Sequence, residues 1–373
     1  MKKRIMYIAQ SPCGVEKYLQ MLFKYIDKEK YENILIAPFE YSKEIYTSIV
    51  DNFEQIDMVR DIKVNEDIKA IIKLRNLIKK YNPDIIYLHS SKAGALGRIA
   101  NMGLGKKVIY NPHGWSFNMK VSKLKQRIYI IIEQVLGVFC EKIIAISEAE
   151  KESAINKKIC NENKINVIFN GIDIERYDEK KLFYVQNKEN LKISTGKFII
   201  GMVGRISNQK ATDTFIRVAY EVKKKIKNAY FIIVGDGEDR QALTKLIDEL
   251  GLNRDVLITG WVQDPYEYIE VFDVAMLLSR WEGFGLAIAE YMLAEKPIIA
   301  TNVDAIPNLI DNYKNGILVN VDTIEETVDA IINIYGDKTL TDKLIKNAKN
   351  KVRKEFDVKR VALQHEEIIE KII

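Results

Sequence analysis

Short runs of consecutive apolar residues alternate along the chain with segments whose apolar positions recur every three or four residues. RIMYIAQ (4–10), NILIAP (33–38), DIIYLHS (84–90), KVIYNP (107–112), KIIAIS (142–147) and INVIFN (165–170) are runs of the first kind. Bounded by turn residues, they predict strands buried on both faces. Residues 15–26 place Val15, Leu19, Leu22, Phe23 and Ile26 on one helical face. Residues 68–81 carry Ile71, Ile72, Arg75, Leu77 and Ile78 in a similar stripe. Apolar strands alternating with amphipathic helices predict a parallel sheet with helices on both sides.

The pattern then restarts. FIIGMVG (198–204), YFIIVG (230–235), DVLITG (255–260), DVAMLLS (273–279), PIIAT (297–301) and GILVN (316–320) form a second strand series. The polar, Lys- and Asn-rich residues 175–196 separate the two series and read as a linker. The chain ends in a helix, about 359–373, with Val361, Leu363, Ile368, Ile369 and Ile372 apolar. The expected fold class is α/β: two Rossmann-like, doubly wound domains, 1–180 and 190–354. Ligands of such sheets bind beyond the carboxyl ends of the strands, so the loops that follow strands hold the candidate chemistry.

A length of 373 residues agrees with two domains, since single cores stop growing near 250–300 residues. The net charge of +5 is uneven: residues 1–180 carry 30 Lys and Arg against 23 Asp and Glu, while residues 181–373 carry 27 against 29. The basic half suits an anionic partner such as phosphates or a membrane surface, and a solvated lysine-rich surface explains it equally well. Three cysteines, Cys13, Cys140 and Cys160, without metal-type spacing indicate reduced, cytosolic usage. The first residues read as a strand, not a secretory signal. The nearest approach to a membrane span, 128–139, is interrupted by Glu133 and Gln134. No D-x-D triplet, P-loop or G-x-S-x-G elbow occurs, so a paired-aspartate metal clamp, a P-loop site and a hydrolase nucleophile are unsupported. No metal site is expected.

In VGRISNQKATDTF, Gly204 ends a strand and a helix begins near Ala211, so Arg205 and Lys210 lie beside a helix N-terminus. Two cations with the orphan N–H groups of a first turn make a polyanion site. VGDGEDR (234–240) has Arg240 where a dinucleotide fingerprint needs its third glycine, and reads as a Gly-rich turn near a nucleotide base. In EGFGLAIAE (282–290), Glu282 belongs to a loop and Glu290 to the following helix. At about 100° per residue they would stand roughly 80° and ~12 Å apart, too far for a carboxylate pair. Gly283 and Gly285 free the backbone, and the N–H groups of Phe284, Gly285 and Leu286 would face an anion. In the first half, Gly14 follows the first strand, His113 sits at a strand tip in NPHGWSF, and His89, Ser91 and Lys92 sit at another in LHSSKAGALGR. His365, in the final helix, reads as a surface residue.

These motifs resemble the retaining glycosyltransferases of the GT-B fold, family 4 (group 1). The family's E-x7-E matches Glu282 and Glu290, and its G-R-x4-K matches Gly204, Arg205 and Lys210. VGDGE, NGID at 170–173, SPCGVE near the start and HG at 113–114 fall in the family's order. The resemblance implies two domains facing across a cleft and a C-terminal helix, about 355–373, that crosses back to the N-terminal domain. It implies that Arg205 and Lys210 hold the donor's diphosphate and Glu290 the ribose. Glu282 and the backbone of Phe284–Leu286 would bind the donor sugar and diphosphate, His113 the sugar, Gly14 the phosphates, and Val262 would lie near the base. Cys13 and Asn308 depart from the family's usual glycine and glutamate.

HSSKAGALGR resembles the bacterial subgroup that builds capsular, exopolysaccharide or O-antigen units on a polyprenyl-diphosphate carrier. That implies a UDP-sugar donor, a lipid-linked saccharide acceptor on the side of His89, Ser91 and Lys92, no cofactor, no required metal and no nucleic acid. The expected location is cytoplasmic. Residues 116–127 interleave Phe117, Met119, Val121 and Leu124 with Lys120, Lys123, Lys125 and Arg127; a seat on an anionic membrane and a solvated helix face both fit. Two rival functions share the architecture or the setting: a UDP-sugar 2-epimerase, and a non-catalytic scaffold in a polysaccharide complex.

Overall fold

The computed structural model describes residues 2–10, 14–59, 61–119, 121–186 and 196–373. The chain divides into two compact units, residues 1–171 with 358–373, and residues 172–357. The division falls earlier than the expected boundary near 180. Most of the stretch read as a linker is a helix, through residue 186, that belongs to the second unit; the stretch 187–195 lies outside the described residues.

Unit 1 is built on strands β1 (Lys3–Ala9), β2 (Tyr31–Ala37), β3 (Asn52–Gln55), β4 (Ile85–His89), β5 (Lys107–Asn111), β6 (Lys142–Ala145) and β7 (Ile165–Val167). All pair in parallel, in the order β3-β2-β1-β4-β5-β6-β7. The sequence pattern misses β3 because NFEQ has no apolar run: it is a half-buried edge strand. Helices α1 (Gly14–Tyr25), α2 (Lys43–Ile49), α3 (Val64–Tyr81), α4 (Ser91–Asn101), α5 (Lys123–Gly137) and α6 (Glu148–Asn156) connect the strands. Side chains alternate across a strand, so β1 feeds two cores. Ile5, Tyr7 and Ala9 face α1, and Met6 and Ile8 face α3 and α4.

Unit 2 contains β8 (Phe198–Val203), β9 (Ala229–Val234), β10 (Val256–Ile258), β11 (Val274–Leu277), β12 (Ile298–Thr301) and β13 (Ile317–Val319), again all parallel, ordered β10-β9-β8-β11-β12-β13. Its helices are α7 (Ile174–Gln186), α8 (Thr212–Lys225), α9 (Arg240–Glu249), α10 (Tyr266–Ile269), α11 (Leu286–Leu293), α12 (Ile306–Leu309), α13 (Ile324–Gly336) and α14 (Lys338–Glu355). The last helix, α15 (Val358–Ile372), belongs to unit 1 and packs on α1.

Each sheet reverses its strand order once, between β1 and β4 in unit 1 and between β8 and β11 in unit 2. At such a reversal the loops from two neighbouring strands diverge to opposite faces and open a crevice. Among the described residues no helix is long and apolar enough to cross a membrane.

Candidate functional site

In unit 2 the two loops at the reversal carry most of the residues singled out by sequence. After β8, Gly204 and Arg205 lead into a short 3-10 turn, Asn208–Lys210, and Ala211 takes a left-handed conformation (φ 50°) to start α8. After β11, residues 278–285 lead to Gly285, which caps α11 at φ 90°, a backbone that glycine adopts without strain. The loops are laced together. Arg280 donates from its backbone N to the Gln209 carbonyl (2.8 Å) and from Nη1 to the Asn208 carbonyl (2.9 Å), and Gln209 Nε2 donates to the Trp281 carbonyl (3.1 Å). Asp322 and Asp213 hold the Arg280 guanidinium, each at 2.8 Å from Nη2.

Within this frame Lys210 Nζ pairs with Glu282 Oε2. Glu282 Oε2 also accepts from Ser279 Oγ (3.1 Å), and the Glu282 backbone N donates to Asp304 Oδ2 (2.8 Å). Both members of the pair are largely buried. An ammonium has three N–H donors, and Glu282 takes one of them, so the pair fixes Lys210 while leaving it able to bind a phosphate oxygen. Arg205 is the more open cation: its side chain is 53% exposed, 3.8 Å from Glu238 Oε2. Leu286 opens α11; the Ile288 N–H is taken by the Gly285 carbonyl (2.8 Å), so an anion at this helix start would meet the N–H groups of Leu286 and Ala287. Phe284 is buried, its ring edge-on to Phe356 at 5.6 Å. Glu290 lies inside α11, 5% exposed; burial foremost, with the Glu290 carboxylate adding to it, disfavours ionisation of the Tyr266 and Tyr291 hydroxyls. Val262 is half-buried in the loop that follows β10.

In the Gly-rich turn at 234–240 both glycines lie against neighbouring backbone. A Cβ on Gly235 (φ 147°) would stand 2.1 Å from the Gly204 carbonyl oxygen, and one on Gly237 2.2 Å from that of Ile206. Both glycines are spent on packing the β9–α9 loop against the loop that carries Arg205. Gly14 is the contrary case: among the described residues, a Cβ there would meet no neighbouring atom within 4 Å beyond its own turn of helix. Packing does not require that glycine, and the open space suits a ligand's approach. Cys13 lies outside the described residues.

The reversal in unit 1 is aromatic. Register places Ala9 beside His89 and His89 beside Asn111 at the strand ends. His89 is fully buried, its ring stacked on Tyr87 with centroids 4.4 Å apart. His89 Nδ1 lies 2.9 Å from His113 Nε2. Among the described residues, His89 Nε2 is buried without a hydrogen-bond partner. A buried N–H left unpaired is rarer than an unpaired lone pair, so the His89 proton sits on Nδ1 and is donated to His113, which then carries its own proton on Nδ1. His113 has φ 51°, and its backbone N donates to Asn111 Oδ1 (3.0 Å).

His365 is not on the surface. It is buried between the Tyr18 hydroxyl, 2.5 Å from Nε2, and the Tyr87 hydroxyl, 2.6 Å from Nδ1. The signal was present: Val361, Ala362, His365, Ile368 and Ile369 recur at helical spacing and share the buried face of α15. Burial pushes both His113 and His365 down to about 3, with His365 adding to the effect on His113, and lowers His89 well below its ordinary value. All three imidazoles are neutral at pH 7.

Ser91 opens α4, and Lys92 is committed to the unit's own structure, 2.6 Å from Asp67 and donating to the Asp61 carbonyl (2.8 Å). The glycines of LHSSKAGALGR are packing positions. A Cβ on Gly94 would strike the Tyr110 ring at 2.4 Å, and one on Gly97 would strike Leu88 at 2.3 Å. Arg98 is buried, paired with Glu133 of α5 (2.8 Å) and set over the Tyr110 ring at 4.2 Å. Sequence reasoning missed Tyr18, Ser279, Arg280 and Asp304. Ser279 and Arg280 stand three and two residues before Glu282, and Tyr18 four after Gly14, so these three lay beside recognised motifs.

Two family models match the chain: Glycosyltransferase Family 4 over residues 12–176 and Glycosyl transferases group 1 over residues 185–351. The chain is 30% identical to a UDP-Gal:alpha-D-GlcNAc-diphosphoundecaprenol alpha-1,3-galactosyltransferase of Escherichia coli, over 96% of this chain and 95% of that one. It is 28% identical to the capsular polysaccharide biosynthesis glycosyltransferase CapM of Staphylococcus aureus, over 81% of this chain and 80% of the relative. The crystal structure of Anabaena Alr3699/HepE in complex with UDP-glucose superposes with a TM-score of 0.82 at 23% identity, covering 99% of both chains. With the fold, the motifs in their expected loops and these likenesses in agreement, the chain belongs to the group 1, family 4 glycosyltransferases.

Proposed function

We propose that the protein is a retaining glycosyltransferase. It moves a hexose or N-acetylhexosamine from a UDP-sugar to a polyprenyl-diphosphate-linked saccharide, in the synthesis of a bacterial surface polysaccharide at the cytoplasmic face of the membrane. The observation that carries the reading is the grouping of Arg205, Lys210, Glu282 and the capped start of α11 on the two loops at the strand-order reversal of unit 2. A diphosphate finds fixed cations and helix N–H donors there. The activity of the E. coli relative supports the acceptor, and the S. aureus capsular enzyme supports the setting.

In this mechanism the bond from the anomeric carbon to the diphosphate breaks as negative charge builds on the leaving oxygen. Lys210, Arg205 and the α11 N-terminus stabilise that charge, with no metal required. The acceptor oxygen bonds to the face the diphosphate leaves, and its proton passes to a donor phosphate oxygen. Glu282 orients Lys210 and accepts from a sugar hydroxyl; it is not a nucleophile. Glu290 binds the ribose. In unit 1, neutral His113 offers its single N–H to a sugar oxygen, and Gly14 admits a phosphate.

The test is a thermal-shift screen over UDP-glucose, UDP-galactose and their N-acetylhexosamine counterparts, followed by turnover with an undecaprenyl-diphosphate-linked N-acetylglucosamine acceptor. The expected result is stabilisation by one donor, UDP release only with acceptor, and an α-linked product. A new UDP-sugar formed without acceptor would make the protein an epimerase. No stabilisation by any donor would make it a scaffold, and a β-linked product would remove retention.

A further inference from the structure

The most unusual surface of unit 1 is on α5. Leu124, Ile128, Ile131 and Val135 fall at i, i+4, i+7 and i+11, and they are turned outward, Leu124 by 72% and Val135 by 58%. The opposite side of the same helix is also apolar, with Tyr129 and Ile130 packed on the core under the sheet. A helix that is apolar all round is normally covered all round. Phe117, which the sequence pattern grouped with this outward set, is instead fully buried. Met119 is exposed, so the outward apolar surface lies along α5 and at Met119, without Phe117.

The charges on the same face have one sign. Lys123, Lys125 and Arg127 are exposed in the first turns of α5. The helix has a single acidic residue, Glu133, and it points inward to Arg98 (2.8 Å) and the Tyr110 hydroxyl (2.8 Å). No carboxylate of α5 reaches the outer face. Cations at a helix N-terminus also oppose the helix dipole, which favours acids there, so these three do not serve the helix's own stability.

We propose that the outer face of α5 docks on an anionic lipid bilayer. A second copy of this face would set cation against cation, and an uncharged apolar partner would leave the three cations desolvated and unpaired. An anionic bilayer accepts both parts: the aliphatic stripe enters the acyl boundary, and the lysines and arginine meet lipid phosphates. The buried Arg98–Glu133 pair fixes the rotation of α5, so the face is presented by a rigid element. The inference does not depend on which sugar is transferred, or on transfer at all.

The full chain is tested by co-sedimentation with vesicles of phosphatidylcholine alone and of phosphatidylcholine mixed with phosphatidylglycerol. The wild type is expected to partition onto the mixed vesicles and not onto the neutral ones. Lys123→Gln with Lys125→Gln and Arg127→Gln should weaken that partition on the order of 100-fold, from three cations near a charged surface. Ile128→Ser with Ile131→Ser and Val135→Ser should abolish it. Both variants change exposed side chains, so their melting curves and their response to UDP-sugars should match the wild type. Equal partition onto both vesicles, no partition of the wild type, or wild-type binding by either variant overturns the proposal. A concentration-dependent dimer, measured by light scattering and lost in the serine variant, would assign the face to a second copy instead.

Discussion

At the strand-order reversal of unit 1, the side chains are uncharged: Tyr87 and His89 stack, His89 bonds His113, and His365 bridges Tyr18 and Tyr87. At the matching point of unit 2 the chemistry is ionic, with Lys210 held by Glu282 and Arg280 held by Asp213 and Asp322. The same topology thus supports two kinds of preorganisation. Burial holds the imidazoles neutral and fixes which nitrogen carries each proton. Counter-charges hold the cations in place on loops that would otherwise move. The chain's three histidines are all in unit 1, so the two units should part company when pH changes and when charges are removed.

The largest effect is expected where unit 1 does contain a buried ion pair. Arg98→Ala leaves Glu133 buried and uncompensated and should cost about 3–5 kcal/mol of stability. Arg98→Met with Glu133→Leu should recover most of it. Denaturant unfolding measures both, and a double variant no better than the single one would show that the pair's geometry, not its charge, holds α5. In unit 2, Lys210→Ala should lower turnover by about 10²–10³-fold. It also strands Glu282, so Lys210→Met with Glu282→Met should restore the melting temperature without restoring turnover. A double variant that regains activity breaks the assignment of Lys210 to the leaving group.

Acid should separate the units. His113 and His365 have a folded value of about 3 against an ordinary 6.5. Below pH 6.5 the unfolded chain takes up protons that the native state refuses. The stability these groups contribute is therefore complete above 6.5 and is lost as pH falls toward 3, at up to about 1.4 kcal/mol per pH unit for each. Hydrogen exchange at pH 5 and pH 7 should show protection falling more in unit 1 than in unit 2; an equal fall would refute the burial of these imidazoles. The smallest effect tests the tautomer. His89→Phe keeps a stacked ring but removes the donor to His113. Turnover should fall about fivefold, the worth of one hydrogen bond. Nitrogen-15 spectra should show His113 passing from one tautomer to a mixture. An unchanged spectrum would mean that His89 does not set the proton's position.

Much of the fold was legible because buried parallel strands are apolar runs and their helices are amphipathic, both of which leave a period in the sequence. β3 was not, since a half-buried edge strand needs no such run. The loop motifs with Gly204, Arg205, Lys210, Glu282 and Glu290 were legible through their spacing and their place after strands. Their partners were not. Asp304 comes to Glu282, and Asp322 to Arg280, from later strand ends, and nothing in local sequence marks that meeting.

The sequence by itself determined the two parallel sheets, the order of their elements and the loops that bear the candidate chemistry, because these depend on local periodicity and on the chirality of strand–helix–strand connections. Tertiary structure alone decided that Lys210 meets Glu282, that the glycines at 235 and 237 pack against backbone while Gly14 does not, and that His365 joins a buried stack. Those outcomes depend on which side chains distant in sequence come to share one volume, and on how much water that volume admits.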